Sequence, residues 1–381
     1  MRILLVGEYS GLHNTLKKGL VELGHEVVLL GDGDGFKNYP VDIFVDHSYR
    51  KGFLKKLKVG VFRLTGFDLG SFQVFNQTTK KLNELQDFDV VQLINESAFH
   101  IQPNYQKAIY EQLLRDHKKL FLLSCGVDHT CMRYMMDGKF DYSIMSPYLE
   151  DNQLFDDYKF QLQYLNKDYE NLHKFLFEHM SGVIASDLDY HIPLKAQNHP
   201  KYLGMISNPI DVSAFEYQAL NISGKISIFH GVNKKAYKRK GNRFFDEALQ
   251  IIEKKHPDKV DIIRTESLPY DAYIKAYDDC HILLDQVYAY DQGYNALEAM
   301  AKGKVVFTGA EQEWLDYYGL KEDTVAINAL PDATKIAEKL EWLIMNPQNI
   351  SMISHNARAF VEEEHDHLKS AKAYLEKWRN D

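Results

Sequence analysis

Residues 286–304 read Gln286-Val-Tyr-Ala-Tyr-Asp-Gln-Gly-Tyr-Asn-Ala-Leu-Glu-Ala-Met-Ala-Lys-Gly-Lys304. The apolar run before them, 281–285, predicts a buried parallel strand. A loop of aromatic, acidic and glycine residues follows. Strong helix formers then run from Gly293 or Tyr294 to a stop at Gly303, and 305–307 predicts the next strand. The polar residues of this strand–helix–strand unit fall at the carboxyl end of its first strand, the edge where open α/β sheets bind ligands. A helix start presents unpaired N–H groups and the positive end of the helix dipole, a seat for a phosphate. Glu298, within the first two helical turns, is placed to face the same ligand. The bland alternative is a plain crossover with Glu298 in solvent.

The chain has 381 residues, which at roughly 100–200 residues per domain predicts two domains. Hydrophobic residues make up 45%, enough for two cores. A net charge of −9 argues against general nucleic-acid binding, which needs a basic footprint. Cys125, Cys131 and Cys280 form no CxxC pair and predict neither a disulfide framework nor a zinc site. The apolar start, 1–7, is too short for a signal peptide. No apolar run reaches the about 18 residues that span a bilayer. The expected location is cytoplasmic, at most peripheral on the inner face of the cell membrane.

The first half repeats the same logic. A strand is predicted at 2–7, a helix at 11–23 ended by Gly24, and a second strand at 25–30. The loop Gly7-Glu-Tyr-Ser-Gly11 lacks the G-x-G-x-x-G pattern and is expected to face an acceptor rather than a dinucleotide. Asp32-Gly-Asp-Gly35 carries two carboxylates without the other ligands of a calcium loop, so a solvated turn is expected and no metal. Strands at 87–95 and 119–124 put Asn95, Glu96, Ser124, Asp128 and His129 beyond strand ends. Asp128 or His129 is a candidate to orient or deprotonate a hydroxyl; the alternative is helix capping.

A basic stretch interrupts this half. Arg50, Lys51, Lys55, Lys56, Lys58 and Arg63 occur with no acid, interleaved with Phe53, Leu54, Leu57, Val61 and Phe62. On a helix Phe53, Leu54, Leu57 and Val61 share a face. A basic amphipathic helix is attracted to anionic lipid, so Arg50, Lys51, Phe53, Lys55, Lys56 and Lys58 are expected to face a membrane. A solvated helix packed on the sheet is the alternative.

Further on, 154–180 predicts one long helix and 182–187 a strand. Asn208-Pro209 marks a turn and the linker between domains. The strand 225–230 leads into Gly231-Val-Asn-Lys-Lys-Ala-Tyr-Lys-Arg-Lys240, five cations ahead of a helix at 242–255. That arrangement makes a diphosphate clamp, or else a solvated basic loop. A strand at 260–264, a helix at 270–278, a loop at 311–314 and helices at 333–345 and 351–378 complete the prediction. His365-Asp-His367 sits in helical context, where i and i+2 do not face together, so no metal site is expected there.

With the strand edges laid out, the C-terminal half resembles the retaining GT-B glycosyltransferases of glycosyltransferase family 4. Leu297-Glu-Ala-Met-Ala-Lys-Gly-Lys-Val-Val306 resembles that family's LEAMAxGxPVV, and Ile206-Ser-Asn-Pro-Ile-Asp211 its IxNGVD segment. His230-Gly231 leading to Lys240-Gly241 resembles its GR…KG phosphate loop. Ala357-Arg-Ala-Phe-Val-Glu-Glu-Glu-His365, running on to Trp378, resembles its final helix. The resemblance implies two Rossmann-like doubly wound domains about a central cleft: an acceptor domain at 1–208, a donor domain at 209–355, and a helix at 356–381 crossing back to the first domain.

It also implies roles. Glu298 would hold the ribose of a nucleoside-diphosphate sugar of UDP or GDP type. Lys240 would contact the diphosphate, with Arg239, Gly231, Asn233 and Arg264 nearby. Gly293, Tyr294, Asn295 and Ala296 would seat the phosphates. Tyr290, with Asp291 beside it, stands where the family's E-x7-E motif has its first Glu, which normally touches the sugar. The family's phosphate-loop Arg falls near Val232, with Lys234, Lys235 or Arg239 as substitutes. Asp128, His129 and Lys240 are the catalytic candidates. Glu8, Tyr9, Ser10, Gly11, Asn95 and Glu96 are the acceptor side. No metal or other cofactor is required, because cations and a helix start stabilise the leaving diphosphate. The expected activity is retaining sugar transfer to a saccharide or lipid-linked acceptor in surface polysaccharide or glycoconjugate synthesis. A nucleotide-sugar 2-epimerase, or an inactive glycan- or nucleotide-binding protein, is the alternative.

Overall fold

Short runs of valine, isoleucine and leucine, covered on both faces, become the strands of two parallel sheets, as the near-absence of alternation in these runs requires. The computed structural model describes residues 1–220, 222–266 and 270–379. They fall into two units. Met1–Arg133, Lys159–Pro209 and His367–Asp381 make the first; Tyr134–Tyr158 and Ile210–Asp366 make the second.

The first unit holds β1 (Arg2–Val6), β2 (Glu26–Gly31), β3 (Ile43–Phe44), β4 (Val90–Leu93), β5 (Leu120–Ser124), β6 (Gly182–Ala185) and β7 (Tyr202–Met205). Their order is β3-β2-β1-β4-β5-β6-β7, all parallel, so the order reverses beside β1. Between them run α1 (Leu12–Glu22), α2 (Gly52–Thr65), α3 (Leu69–Leu82), α4 (Pro103–Asp116), α5 (His129–Met136), α6 (Ser146–Glu150), α7 (Phe155–Leu162), α8 (Lys167–His179) and α9 (Leu188–Gln197). Tyr134–Tyr158, which includes α6 and the start of α7, packs with the second unit.

The second sheet comprises β8 (Ile226–Val232), β9 (Val260–Glu266), β10 (Ile282–Leu284), β11 (Val305–Thr308) and β12 (Ile327–Asn328), ordered β12-β11-β10-β8-β9. Its helices are α10 (Asn242–Lys255), α11 (Tyr270–Asp279), α12 (Tyr294–Ala301), α13 (Gln312–Tyr318), α14 (Ala333–Met345) and α15 (Pro347–Glu364). The last helix, α16 (His367–Arg379), returns to the first unit.

Four segments differ from the sequence reading. The long helix of 154–180 breaks at the turn Gln163–Leu165, because Asn166 is extended (φ −68°, ψ 154°) ahead of α8. The helix of 351–378 breaks at His365 and Asp366, where the chain leaves the second unit. There Ile210 N donates to His365 O at 2.6 Å and Ile210 pairs with Asp366, so this is a helix break rather than helical context. Residues 311–314 are not a loop: Glu311 precedes α13, and Trp314 is buried edge-on to Phe360 at 5.3 Å. Finally, β8 runs on through Gly231 and Val232, which pair with Thr265 and Glu266 of an equally extended β9.

Helix α16 is seated on α1 because Gly19 has no side chain; a Cβ there would lie 2.5 Å from His367 O. A buried hydrogen-bond chain then links the two ends of the first unit. The Trp378 indole donates to Gln92 Oε1 at 3.2 Å. Gln92 Nε2 donates to His13 Nε2 at 3.3 Å, and His13 Nδ1 donates to Gly7 O at 2.8 Å. His13 must be neutral to accept from Gln92, and burial pushes its pKa down to about 3, against the opposing pull of the Gly7 carbonyl.

Because the folded pKa lies below the unfolded value of 6.5, the unfolded chain binds more protons in between. The His13 contribution is therefore fully present above pH 6.5 and is lost as pH falls toward 3. His13→Asn is expected to flatten the fall in melting temperature across this window relative to wild type. Parallel Tm-against-pH curves for the two proteins would contradict this.

Candidate functional site

The order of the second sheet reverses between β8 and β10, and the segments leaving both strands meet on one carboxylate. Asp285 follows the last residue of β10 and is buried. A buried carboxylate needs partners, since stripping it of water is costly. Asp285 Oδ1 accepts from Lys240 Nζ at 2.7 Å and from Asn295 Nδ2 at 2.9 Å. Lys240 ends the loop after β8; Asn295 lies in the first turn of α12.

Other bonds hold this junction. Val287 N donates to Lys240 O at 2.8 Å. Gly241, in the left-handed region at φ 68°, lets the loop press against 287–288; a Cβ would sit 2.7 Å from Val287 Cβ. Tyr277 OH donates to Asn295 O at 3.0 Å, anchoring the first turn of α12 from α11. Glu298 is half-buried one turn on, and at i, i+3 it shares a face with Asn295. Gly293 precedes α12 in an extended conformation (φ −80°, ψ 170°) and has no side chain to cap Tyr294 or Ala296. The Lys240 side chain stays 32% exposed, so its ammonium is presented to solvent while Asp285 fixes its direction.

The rest of the cationic loop is less open than its sequence suggests. Lys234 pairs with Glu266 at 2.8 Å and Lys238 with Asp157 at 2.6 Å, while Arg239 Nη1 lies 3.4 Å from Asp157 O. Asn233 Oδ1 accepts from Lys235 N at 3.0 Å and so caps the turn Lys234–Ala236. The four cations Lys234, Lys235, Lys238 and Arg239, with Asp157 and Glu266, line a cavity of about 420 Å3. Arg264 is committed elsewhere. As β9 continues to Glu266, the Arg264 guanidinium meets Asp246 at 2.6 and 3.1 Å and Glu266 at 3.0 Å. Gly231 lies within β8, not in the loop.

Tyr290 is buried, and its ring packs on Phe140 and Tyr142 at 4.7 and 5.5 Å. Its hydroxyl accepts from Asp141 N at 3.0 Å. Tyr142 in turn donates to Glu311, which also accepts from Asn328 Nδ2 at 2.7 Å. Tyr290 thus anchors the segment Tyr134–Tyr158. Asp291 is buried beside it and accepts from Gln292 N at 2.7 Å.

The edge of the first sheet gathers the residues expected on the acceptor side into two groups. Glu8 Oε2 accepts from Asn14 N and Nδ2 at 2.9 and 2.6 Å. Tyr9 donates to Ser97 O and stacks on His100 at 5.2 Å. Ser10 N, beside Gly11, donates to Asp34 at 2.9 Å. Asp34 also pairs with Lys37 at 2.7 Å, and Asp32 lies 3.6 Å from Arg50. The second group centres on Glu96. It accepts from His129 N at 2.5 Å and from His173 Nδ1 at 3.0 Å, and Asn95 Nδ2 ties the loop through Cys125 O at 2.9 Å. Burial lowers the His173 pKa, but the Glu96 hydrogen bond and charge outweigh it and the net shift is upward. Asp128 is engaged as a cap: it accepts from Cys131 N at 2.8 Å and from the Ser124 hydroxyl. His129 Nδ1 is held by Tyr164 O at 2.8 Å.

Sequence reasoning missed Asp285 and His173. An acid closing the apolar run 281–285 was the available signal for the first. His173 lies on α8 with nothing in the sequence to separate it from other helix residues. Of the expected membrane-facing residues, Arg50 precedes α2 and is held by Asp46 at 2.6 Å, while Lys58 reaches Asp68 at 3.8 Å.

Residues 229–376 match a family model described as glycosyl transferase-like. No curated protein sequence gives a significant match. Among solved structures, Anabaena HepE in complex with UDP-glucose is similar over 100% of both chains, with a TM-score of 0.61 at 12% identity. Sucrose-phosphate synthase from Thermosynechococcus elongatus is similar over 100% of this chain and 98% of that one, with a TM-score of 0.61 at 14% identity. A glycosyltransferase from Rickettsia africae gives a TM-score of 0.54 at 14% identity, over 100% and 97% of the chains. The chain has the GT-B glycosyltransferase fold, two parallel-sheet α/β domains, and its C-terminal part carries the glycosyl transferase-like pattern.

Asp285→Ala removes the acceptor of Lys240 and Asn295 together. The expected destabilisation is about 2–3 kcal/mol, moderated because Lys240 can be hydrated. Asp285→Asn keeps an acceptor oxygen and is expected to cost about half as much. Thermal unfolding checks both, and an unchanged Tm for Asp285→Ala would remove Asp285 from the centre of the site.

Proposed function

We propose that the protein is a retaining glycosyltransferase. It would move a sugar from a nucleoside diphosphate to a saccharide or lipid-linked acceptor, in surface polysaccharide or glycoconjugate synthesis. The observation that carries this reading is the convergence of Lys240, Asn295 and the start of α12 on Asp285 at the reversal of the second sheet. A cation, a helix start and a glycine-limited loop at one strand edge form the chemistry of a diphosphate site. Glu298, on the same helical face as Asn295, is the acceptor for ribose hydroxyls. UDP is the favoured nucleotide because HepE, similar along its whole length, was solved with UDP-glucose.

In the reaction the bond from the sugar anomeric carbon to the diphosphate breaks, and a bond forms to the acceptor oxygen on the same face. The acceptor proton ends on the departing phosphate or in solvent. Negative charge grows on the leaving oxygen, where Lys240 and the α12 start stabilise it without a metal ion. Asp285 orients Lys240 in advance. In this reading the acceptor approaches the edge of the first sheet, near the Glu96, His129 and His173 cluster, with His129 closest in role to a hydroxyl-orienting group.

A nucleoside diphosphate at about 100 times its Kd is expected to stabilise the protein by about 2.7 kcal/mol, visible as a rise in Tm. Lys240→Ala and Glu298→Ala should each weaken UDP binding by about 10–100-fold, the loss expected for a charged hydrogen bond. No Tm rise with either UDP or GDP would refute the donor site. Transfer itself is read by the anomeric coupling constant of the product, and an inverted linkage would refute retention.

A further inference from the structure

Helix α2 has no buried side chain. An amphipathic helix in a folded domain normally lays its apolar stripe on a core. Here Phe53 is 77% exposed and Leu64 88%, and Leu54, Leu57 and Phe62 are exposed as well. At helical spacing Phe53, Leu57 and Leu64 project within about 40° of one another. Phe67 and Phe72, with ring centroids 5.3 Å apart, are also exposed and continue the apolar surface onto α3. Contiguous apolar surface of this kind marks an interaction site.

Charge selects the occupant. Lys55, Lys56 and Arg63 are exposed and, among the described residues, have no acidic partner. The helix contains no acid, in a chain of net charge −9. A second copy would bring these cations against the same cations, at a cost. An anionic bilayer accepts both features: the rings and leucines enter the acyl boundary while the lysine and arginine stems reach the headgroups. Among the described residues no helix is long and apolar enough to cross a membrane, so α2 would lie in the interface plane.

We propose that α2 docks this protein onto anionic phospholipid, with Phe53 and Leu64 as the inserting side chains, Lys56 and Arg63 beside them as the headgroup contacts, and Lys55, on the far face, adding attraction through its charge. Arg50 and Lys58, held by Asp46 and Asp68, take no part. The proposal rests on the first unit alone and stands or falls separately from sugar transfer.

The test is co-sedimentation of the full chain with vesicles of equimolar phosphatidylglycerol and phosphatidylcholine, beside vesicles of phosphatidylcholine only. Wild type is expected to bind the mixed vesicles and to be only partly released by salt. Lys55→Glu, Lys56→Glu and Arg63→Glu together should lower the partition by about 100-fold. Phe53→Ser with Leu64→Ser should abolish the binding that survives high salt. Both variants should keep the wild-type Tm, since neither set is buried. Equal binding to both kinds of vesicle, wild-type binding by the charge-reversed variant, or concentration-dependent self-association lost in the Phe53, Leu64 variant without any vesicle binding would each overturn the proposal.

Discussion

The Asp285 carboxylate is the constraint on which the second unit's edge depends. It sits buried at the end of β10, the strand between β8 and β11. A lone carboxylate there, stripped of water, needs partners in its place. It recruits two, from segments separated in sequence by more than one helix. Lys240 fixes the end of the β8 loop, and Asn295 fixes the start of α12. The consequence is geometric: a cation and a helix start are held side by side. Preorganisation of that kind is what makes electrostatic stabilisation effective, because no reorganisation is needed when charge develops.

A second consequence concerns Tyr290. The resemblance to family 4 puts a sugar-touching Glu at this position. Here the side chain is turned into an aromatic cluster with Phe140 and Tyr142, and its hydroxyl holds the Asp141 backbone. The sequence between Tyr134 and Tyr158, although it lies between β5 and β6 of the first sheet, packs with the second unit. A tyrosine at 290 suits that packing, where a glutamate would bring an unpaired charge among aromatic rings. The departure from the motif is thus accounted for by an added contact within the unit.

Much of this was legible in the sequence. The helices 242–255 and 333–345 were readable to the residue, because each is bounded by a glycine, an aspartate or a turn and carries a clean apolar period. The apolar strands expected at 119–124 and 305–307 were equally plain, matching Leu120–Ser124 and Val305–Thr308 to within a residue. The breaks at Asn166 and Asp366 were not, because no proline or glycine punctuates them and the apolar period runs on. Tertiary contacts, not local preference, set those ends. Lys240, Asn295 and Glu298 were singled out through the motif, and the structure brings Lys240 and Asn295 together on Asp285. Arg264 and Arg50 were not correctly placed, since a basic residue's partner lies on another element: Asp246 for one, Asp46 for the other. Asp285 was hidden for the same reason, as its importance comes from what meets it.

The most direct test of the central claim is a crystal structure of the protein soaked with UDP-glucose. The account predicts the diphosphate at the start of α12, with one of its oxygens within hydrogen-bond distance of Lys240 Nζ, Asp285 still pairing that lysine from behind, and the ribose hydroxyls on Glu298. A nucleotide bound elsewhere, with Lys240 still turned only toward Asp285 and Glu298 out of contact, would contradict it.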